Sequence, residues 1–170
     1  MMKIALYDYV PQRFRMSFEQ FILNRMILDF KDGRNYATRW AARQMASSLR
    51  ACDMRNVIIV CIPASCPYTN ARRWKRFLYE LCRRCHAING FDLVKVHSCR
   101  EKKHLSQDRC YISCMGNASI DASIKGQKVL VIDDICTTCE SANEFIASLQ
   151  AAGADVVMAL FLAKTRKMWA

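Results

Sequence analysis

Asp133 and Asp134 follow the apolar run 128–132 (KVLVI), and Thr137, Thr138 and Ser141 come soon after them. Two adjacent carboxylates can accept hydrogen bonds from neighbouring sugar hydroxyls. Hydroxyl side chains beside the free backbone N–H groups of a helix start form a phosphate site, and the helix dipole favours the negative charge. A sugar phosphate fits this spacing better than a bare anion does. A second group lies upstream, where Arg72, Arg73, Lys75 and Arg76 fall within six residues (RRWKRF). Guanidiniums bind dianionic groups through a planar fork, although a solvated helix start explains the same charges.

Two cysteines sit inside the first motif. Cys136-x-x-Cys139 lies between a strand and a helix start, where thioredoxin-like dithiols sit and where a thiolate is stabilised. The neighbouring Asp133, Asp134 and Glu140 act against that by raising thiol pKa values. Cys82-x-x-Cys85-His86 would complete the count of a zinc site. However, 50 residues separate the two pairs, and Cys82 and Cys85 fall on an apolar helix face, so core packing is favoured. With no secretory signal in the N-terminal stretch, the ten cysteines are expected to be reduced thiols in a cytoplasmic protein.

These residues need elements to hold them. Ser17-x-x-Gln20 has capping-box spacing, and Leu23, Met26, Ile27 and Phe30 then recur at helical period. The sequence KDGR (31–34) breaks this helix, and a second is expected over 36–50. Residues 56–62 (NVIIVCI) read as a buried strand stopped by Pro63, with a turn-rich loop, PASCPYTN, behind it. Trp74, Phe77, Leu78, Leu81, Cys82 and Cys85 form one helix face, and 91–96 is a shorter candidate strand. Residues 98–127 show no sustained period and are expected to be a long loop or small hairpin. The run 128–132 is a buried strand ending at Asp133-Asp134. A helix with Ala142, Phe145, Ile146, Leu149 and Ala152 on one face follows, capped by Gly153, and then a strand over 155–162. Strand and helix in alternation predict an α/β fold, a parallel sheet flanked by helices. Ligands of such sheets bind at the carboxyl ends of the strands, which is where the acids and hydroxyls fall.

Composition narrows the partners. At 170 residues, 52% hydrophobic, with 5 Gly and 3 Pro, the chain reads as a single domain and not as a disordered or collagenous sequence. The longest apolar runs, 57–64 and 156–163, hold eight residues each, against the ~20 that a spanning helix needs. The net charge is +11, which predicts an anionic partner. Of that charge +7 falls within 72–109, where 11 Lys and Arg stand against 4 acids.

The segment VLVIDDICTTCES (129–141) resembles the 5-phosphoribosyl-1-pyrophosphate (PRPP) loop of type I phosphoribosyltransferases: an apolar strand, two acids, two variable residues, then Thr-Thr-Gly-x-Thr/Ser. More narrowly the chain resembles the competence-associated, ComF-like branch. MILDFKDGR (26–34) is similar to that branch's early I-x-x-F-K-x-G segment. Ile62-Pro63 with 72–77 is similar to its strand-Pro and Arg-rich helix start, and HLSQDR (104–109) to part of its hood. The resemblance spans about 20–165, with a hood at about 98–127.

The resemblance implies a type I phosphoribosyltransferase-like fold with a small hood. It implies that Asp133 and Asp134 hold the ribose hydroxyls, and that Thr137, Thr138, Cys139, Glu140 and Ser141 surround the 5-phosphate. It further implies that Ala64, Ser65, Arg72 and Arg73 form the pyrophosphate loop and that Lys103 and Arg109 belong to the hood. Mg²⁺ would be carried by the substrate, with no ligand directly from protein. Transfer would proceed by loss of pyrophosphate through an oxocarbenium-like state, by positioning and charge stabilisation. The pattern's glycine is Cys139 here, and Glu140 follows it. A Cβ crowds a phosphate, and a like charge ~5 Å away at an effective dielectric of ~20 costs about 3 kcal/mol. Three functions follow: a phosphoribosyltransferase, a non-catalytic PRPP or nucleotide sensor on the same fold, or a DNA-uptake accessory protein using the basic 72–109 face on nucleic acid. An oligomer is compatible with each.

Overall fold

The computed structural model describes residues 2–100 and 113–166. Five strands, β1 (Met2–Tyr9), β2 (Val57–Cys61), β3 (Ile88–Asn89), β6 (Lys128–Cys136) and β7 (Asp155–Thr165), form one sheet in the order β1-β7-β6-β2-β3. Every pairing in it is parallel. Two short strands, β4 (Val94–Val96) and β5 (Ala118–Ile120), pair antiparallel outside it. The chain is therefore an α/β protein with a parallel sheet flanked by helices.

Strand alternation sorts the core into two layers. Ile59, Cys61, Leu130, Ile132, Leu160 and Leu162 pack with Ile27, Phe30, Ala41, Met45, Phe77 and Leu78. Those partners come from α1 (Phe18–Lys31), α2 (Asn35–Ser48) and α4 (Arg76–Cys85). The alternate residues Ile58, Val60, Val129, Val131, Ala159 and Phe161 pack with Phe145, Ile146 and Leu149 of α5 (Glu140–Ala151). Both faces of the central strands are covered, which is why their sequences are continuous apolar runs.

Ser17 caps α1 as its spacing predicts, accepting from the Gln20 backbone N–H at 3.2 Å. The Gln20 side chain instead donates to the Asp8 carbonyl at 2.9 Å and to Asn24, tying α1 to the end of β1. Gly33 has φ +72, and a Cβ there would meet the Arg72 carbonyl oxygen at 2.8 Å. Glycine lets the turn after α1 lie against the arginine segment. The short helix α3 (Pro67–Asn70) passes through a π-helical turn, Ala71–Lys75, directly into α4. Trp74 in that turn is 1% exposed and donates its indole N–H to the Ile62 carbonyl at 3.1 Å.

The structure departs from the sequence expectations in four places. Residues 2–9, for which the sequence predicts no element, form an eight-residue edge strand beside β7. Phe91–Leu93 is a 3-10 turn and Val94–Val96 lies in the small sheet, while the main sheet takes Ile88–Asn89 as its last strand. The strand β6 does not stop at the acids but runs through them to Cys136, paired with β7 as far as Lys164. Finally, the cysteines are not all reduced: Cys136 and Cys139 are joined as a disulfide, their Cα atoms 5.2 Å apart, inside the 4.4–6.8 Å that such a bond needs. Cys82 and Cys85 meet the packing expectation. Burial pushes the Cys82 thiol up to about 12, and Cys85 donates to the Leu81 carbonyl at 3.2 Å.

Candidate functional site

The carboxyl ends of β6 and β7 open onto a cavity of about 400 Å³, within the range of small-ligand sites. Asp133, Thr137, Thr138, Cys139, Glu140 and Ser141 line it, together with Tyr9, Leu28, Lys31 and Thr165. Six of the seven residues assigned to the PRPP loop are thus brought together around one space. Thr137, Thr138 and Glu140 are exposed, and Glu140 opens the first turn of α5.

The two acids part company. Asp134 continues the row of Leu130 and Ile132 toward the α1/α4 layer, where it is 4% exposed and sits 2.9 Å from Arg73 Nη1. Arg73 also donates its Nε–H to the Lys31 carbonyl at 2.9 Å and stacks its guanidinium over Trp74, 5.4 Å from the ring centroid. Asp133 lines the cavity instead. Its Oδ1 accepts from the Asp134 backbone N–H at 2.9 Å, and Asp134 Oδ1 from that of Ile135 at 2.6 Å. Burial, and then the charge of Asp134, raise the Asp133 carboxyl to about 8; Arg73 and Lys31 oppose that rise.

The loop that follows explains how a cysteine stands where the resembled pattern has glycine. Cys139 has φ 60, in the left-handed region, a conformation that costs a residue with a Cβ roughly 1–2 kcal/mol. The disulfide to Cys136 ties it there. Cys139 is the N-cap of α5, with no side-chain cap bond, and its carbonyl accepts from Asn143 N at 2.9 Å. The start of α5 is braced from the side by Cys114, whose Sγ donates to the Ser141 carbonyl at 3.3 Å, and by Glu144, which accepts from the Cys114 backbone N–H at 2.7 Å.

Ala64, Ser65, Arg72 and Arg73, the segment assigned to pyrophosphate, are not among the residues that line the cavity. The Ala64 N–H donates to Asn70 Oδ1 at 3.0 Å. The Ser65 carbonyl accepts from Arg100 N at 2.8 Å and Asn117 Nδ2 at 3.1 Å. Arg72 is exposed, with its guanidinium 5.7 Å from the Tyr68 ring centroid. Arg100 fastens this loop further, donating to the Pro63 carbonyl at 3.1 Å and the Ser113 carbonyl at 2.6 Å. Nearby, the Cys66 thiol is shifted down, first by the Thr69 hydroxyl 3.1 Å away. Lys103 and Arg109, the hood residues, lie outside the described residues.

Sequence reasoning missed Tyr9, Leu28, Lys31 and Thr165 as cavity residues. Leu28 and Lys31 were within reach, since they stand in the resembled 26–34 segment. Tyr9 and Thr165 were not, because their position depends on the pairing of β1 with β7.

No family model matches the sequence, and no curated protein matches it. Among solved structures, the chain is similar to a purine phosphoribosyltransferase from Pyrococcus horikoshii Ot3. The two are 14% identical, with 98% of this chain and 90% of the other covered at a TM-score of 0.37. At that score the likeness adds nothing to the topology given by the strand pairings.

Proposed function

We propose that this protein binds PRPP or a related phosphoribosyl compound in the cavity at the end of β6. One observation supports this above the others: Asp133, Thr137, Thr138 and Ser141 converge on a single 400 Å³ space at the carboxyl end of a parallel sheet. The 5-phosphate would sit against the first N–H groups of α5 and the loop hydroxyls, and the ribose hydroxyls would donate to Asp133. Lys31, lining the same space, supplies a cation for the phosphoryl oxygens. Mg²⁺ would arrive on the pyrophosphate and ribose oxygens of the ligand. Asp133 suits such a cation, because a positive charge beside it offsets the burial that raises its pKa.

Transfer of the phosphoribosyl group would require pyrophosphate to leave as positive charge develops at the ribose. The chain's part in that step would be to hold the ring and stabilise charge. The second proposal, a non-catalytic sensor, is favoured by the Asp134–Arg73 ion pair. It occupies one ribose acid and one pyrophosphate arginine with each other.

Thermal unfolding with PRPP and Mg²⁺ tests binding. A ligand at 100 times its Kd adds about 2.7 kcal/mol, or roughly 5–10 °C in Tm for a domain of this size. Asp133→Asn should remove most of that shift. No shift at millimolar PRPP would sink the proposal, and steeply salt-dependent binding of single-stranded DNA would put the nucleic-acid function in its place. Release of pyrophosphate in the presence of candidate bases separates transferase from sensor.

A further inference from the structure

We propose that Cys136-Thr137-Thr138-Cys139 is a thiol–disulfide exchange site, reduced by dithiols, whose redox state sets the conformation of the cavity loop. The two sulfurs are already bonded, and they are unequally reachable. Cys136 is 3% exposed, whereas Cys139 is half-buried and lines the cavity, flanked by the exposed Thr137, Thr138 and Glu140. An incoming thiolate can therefore reach the Cys139 sulfur from the solvent side.

The exchange balances in two steps. A thiolate of the reductant attacks Cys139 Sγ, forming a mixed disulfide; the Cys136–Cys139 bond breaks, and Cys136 leaves as a thiolate that takes up a proton. The reductant's second thiol then attacks its own sulfur in the mixed disulfide. Cys139 is released and protonated, and the reductant departs as a cyclic disulfide. Two electrons and two protons pass from the dithiol to the cysteine pair.

The consequence for the cavity comes from the backbone. Cys139 stands at φ 60, which a cysteine disfavours and which the bond to Cys136 restrains. Once the bond is broken, Cys139 relaxes toward right-handed or extended backbone, carrying the first N–H groups of α5 out of register with a bound phosphate. The bent loop then becomes the minor conformer, and apparent affinity falls with its population, by about five- to thirty-fold. This gating step rests on the phosphoribosyl proposal above; the exchange step does not.

The test uses the full chain equilibrated in buffers of graded dithiothreitol ratio, then alkylated and digested with trypsin. The peptide 129–164 contains Cys136 and Cys139 and no other cysteine, so its mass reports this pair alone. It should pass from unalkylated to doubly alkylated as the buffer becomes reducing. Binding of inorganic phosphate and of PRPP with Mg²⁺ is measured by calorimetry on the same samples, and should weaken about five- to thirty-fold on reduction. Cys139→Gly, free to hold a positive φ, should bind alike in every buffer, whereas Cys139→Ala should bind like the reduced protein. A peptide doubly alkylated in the most oxidising buffer would overturn the exchange site. Equal affinity in both redox states, or equal affinity of the Gly and Ala variants, would overturn the gating. If neither probe binds while the peptide still switches, the phosphoribosyl proposal and the gating fail and the exchange site stands.

Discussion

Asp133→Asn gives a direct handle on the cavity carboxyl. In the folded chain that carboxyl is raised from 3.8 to about 8, by burial first and by Asp134 second. The folded state then holds a proton that the unfolded chain has released, so stability falls as pH rises. The contribution is complete below about pH 4, declines through the neutral range and is gone above about pH 8. At 1.36 kcal/mol per pH unit, the full shift would cost about 5 kcal/mol across that window in a site closed to solvent. The opposing charges of Arg73 and Lys31 are already contained in that value, but Asp133 lines a cavity that admits water, and solvent screening brings the expected loss to about 2 kcal/mol. Urea denaturation at several pH values between about 5 and 8 reads this as a midpoint falling by roughly 1 M. The Asn variant keeps an oxygen to accept from Asp134 N and should lose less than half as much. The Cys61 thiol, pushed far up by burial, titrates above this range and does not confuse it. A wild-type midpoint that is flat with pH, or an Asn variant that follows the wild-type slope, would refute the assignment.

Other substitutions probe the frame around the cavity. Arg73→Ala leaves Asp134 buried without its cation and should cost about 3–5 kcal/mol in chemical denaturation, while Arg73→Met with Asp134→Leu should recover most of it. Gly33→Ala asks for a Cβ at φ +72 and 2.8 Å from the Arg72 carbonyl. A loss of more than about 1 kcal/mol is expected by the same assay, with weaker PRPP binding if the turn helps place Lys31. Trp74→Phe removes the indole donor and leaves the Ile62 carbonyl unpaired, costing about 1–3 kcal/mol; an unchanged Tm would show that water replaces it.

The parts of the fold legible in the sequence were those specified by local pattern. The runs NVIIVCI and KVLVI are short, β-branched and continuously apolar, as strands covered on both faces are, and Trp74, Leu78 and Leu81 recur at helical spacing. The loop at 133–141 was legible because its chemistry is contiguous. What escaped detection depends on distant pairing. β1 alternates weakly and is a strand by virtue of β7, roughly 150 residues later. The Asp134–Arg73 ion pair joins β6 to the π-helical turn across 61 residues, and nothing local to either residue signals the other. The left-handed backbone of Cys139 and its bond to Cys136 could not be read from the sequence, because a cysteine at that position does not by itself signal a positive φ.

The pairing of β1 with β7 also orders events in time. Residues 2–9 are synthesised roughly 150 residues before the strand they bind, 155–165. At about 5–20 residues per second the first strand waits on the order of ten seconds or more for its partner. During that interval its unpaired backbone and the side chains of Ile4, Leu6 and Tyr7 are open to other contacts. Tyr9 reaches the cavity only when that wait ends, so the pocket is complete only after β7 has been made.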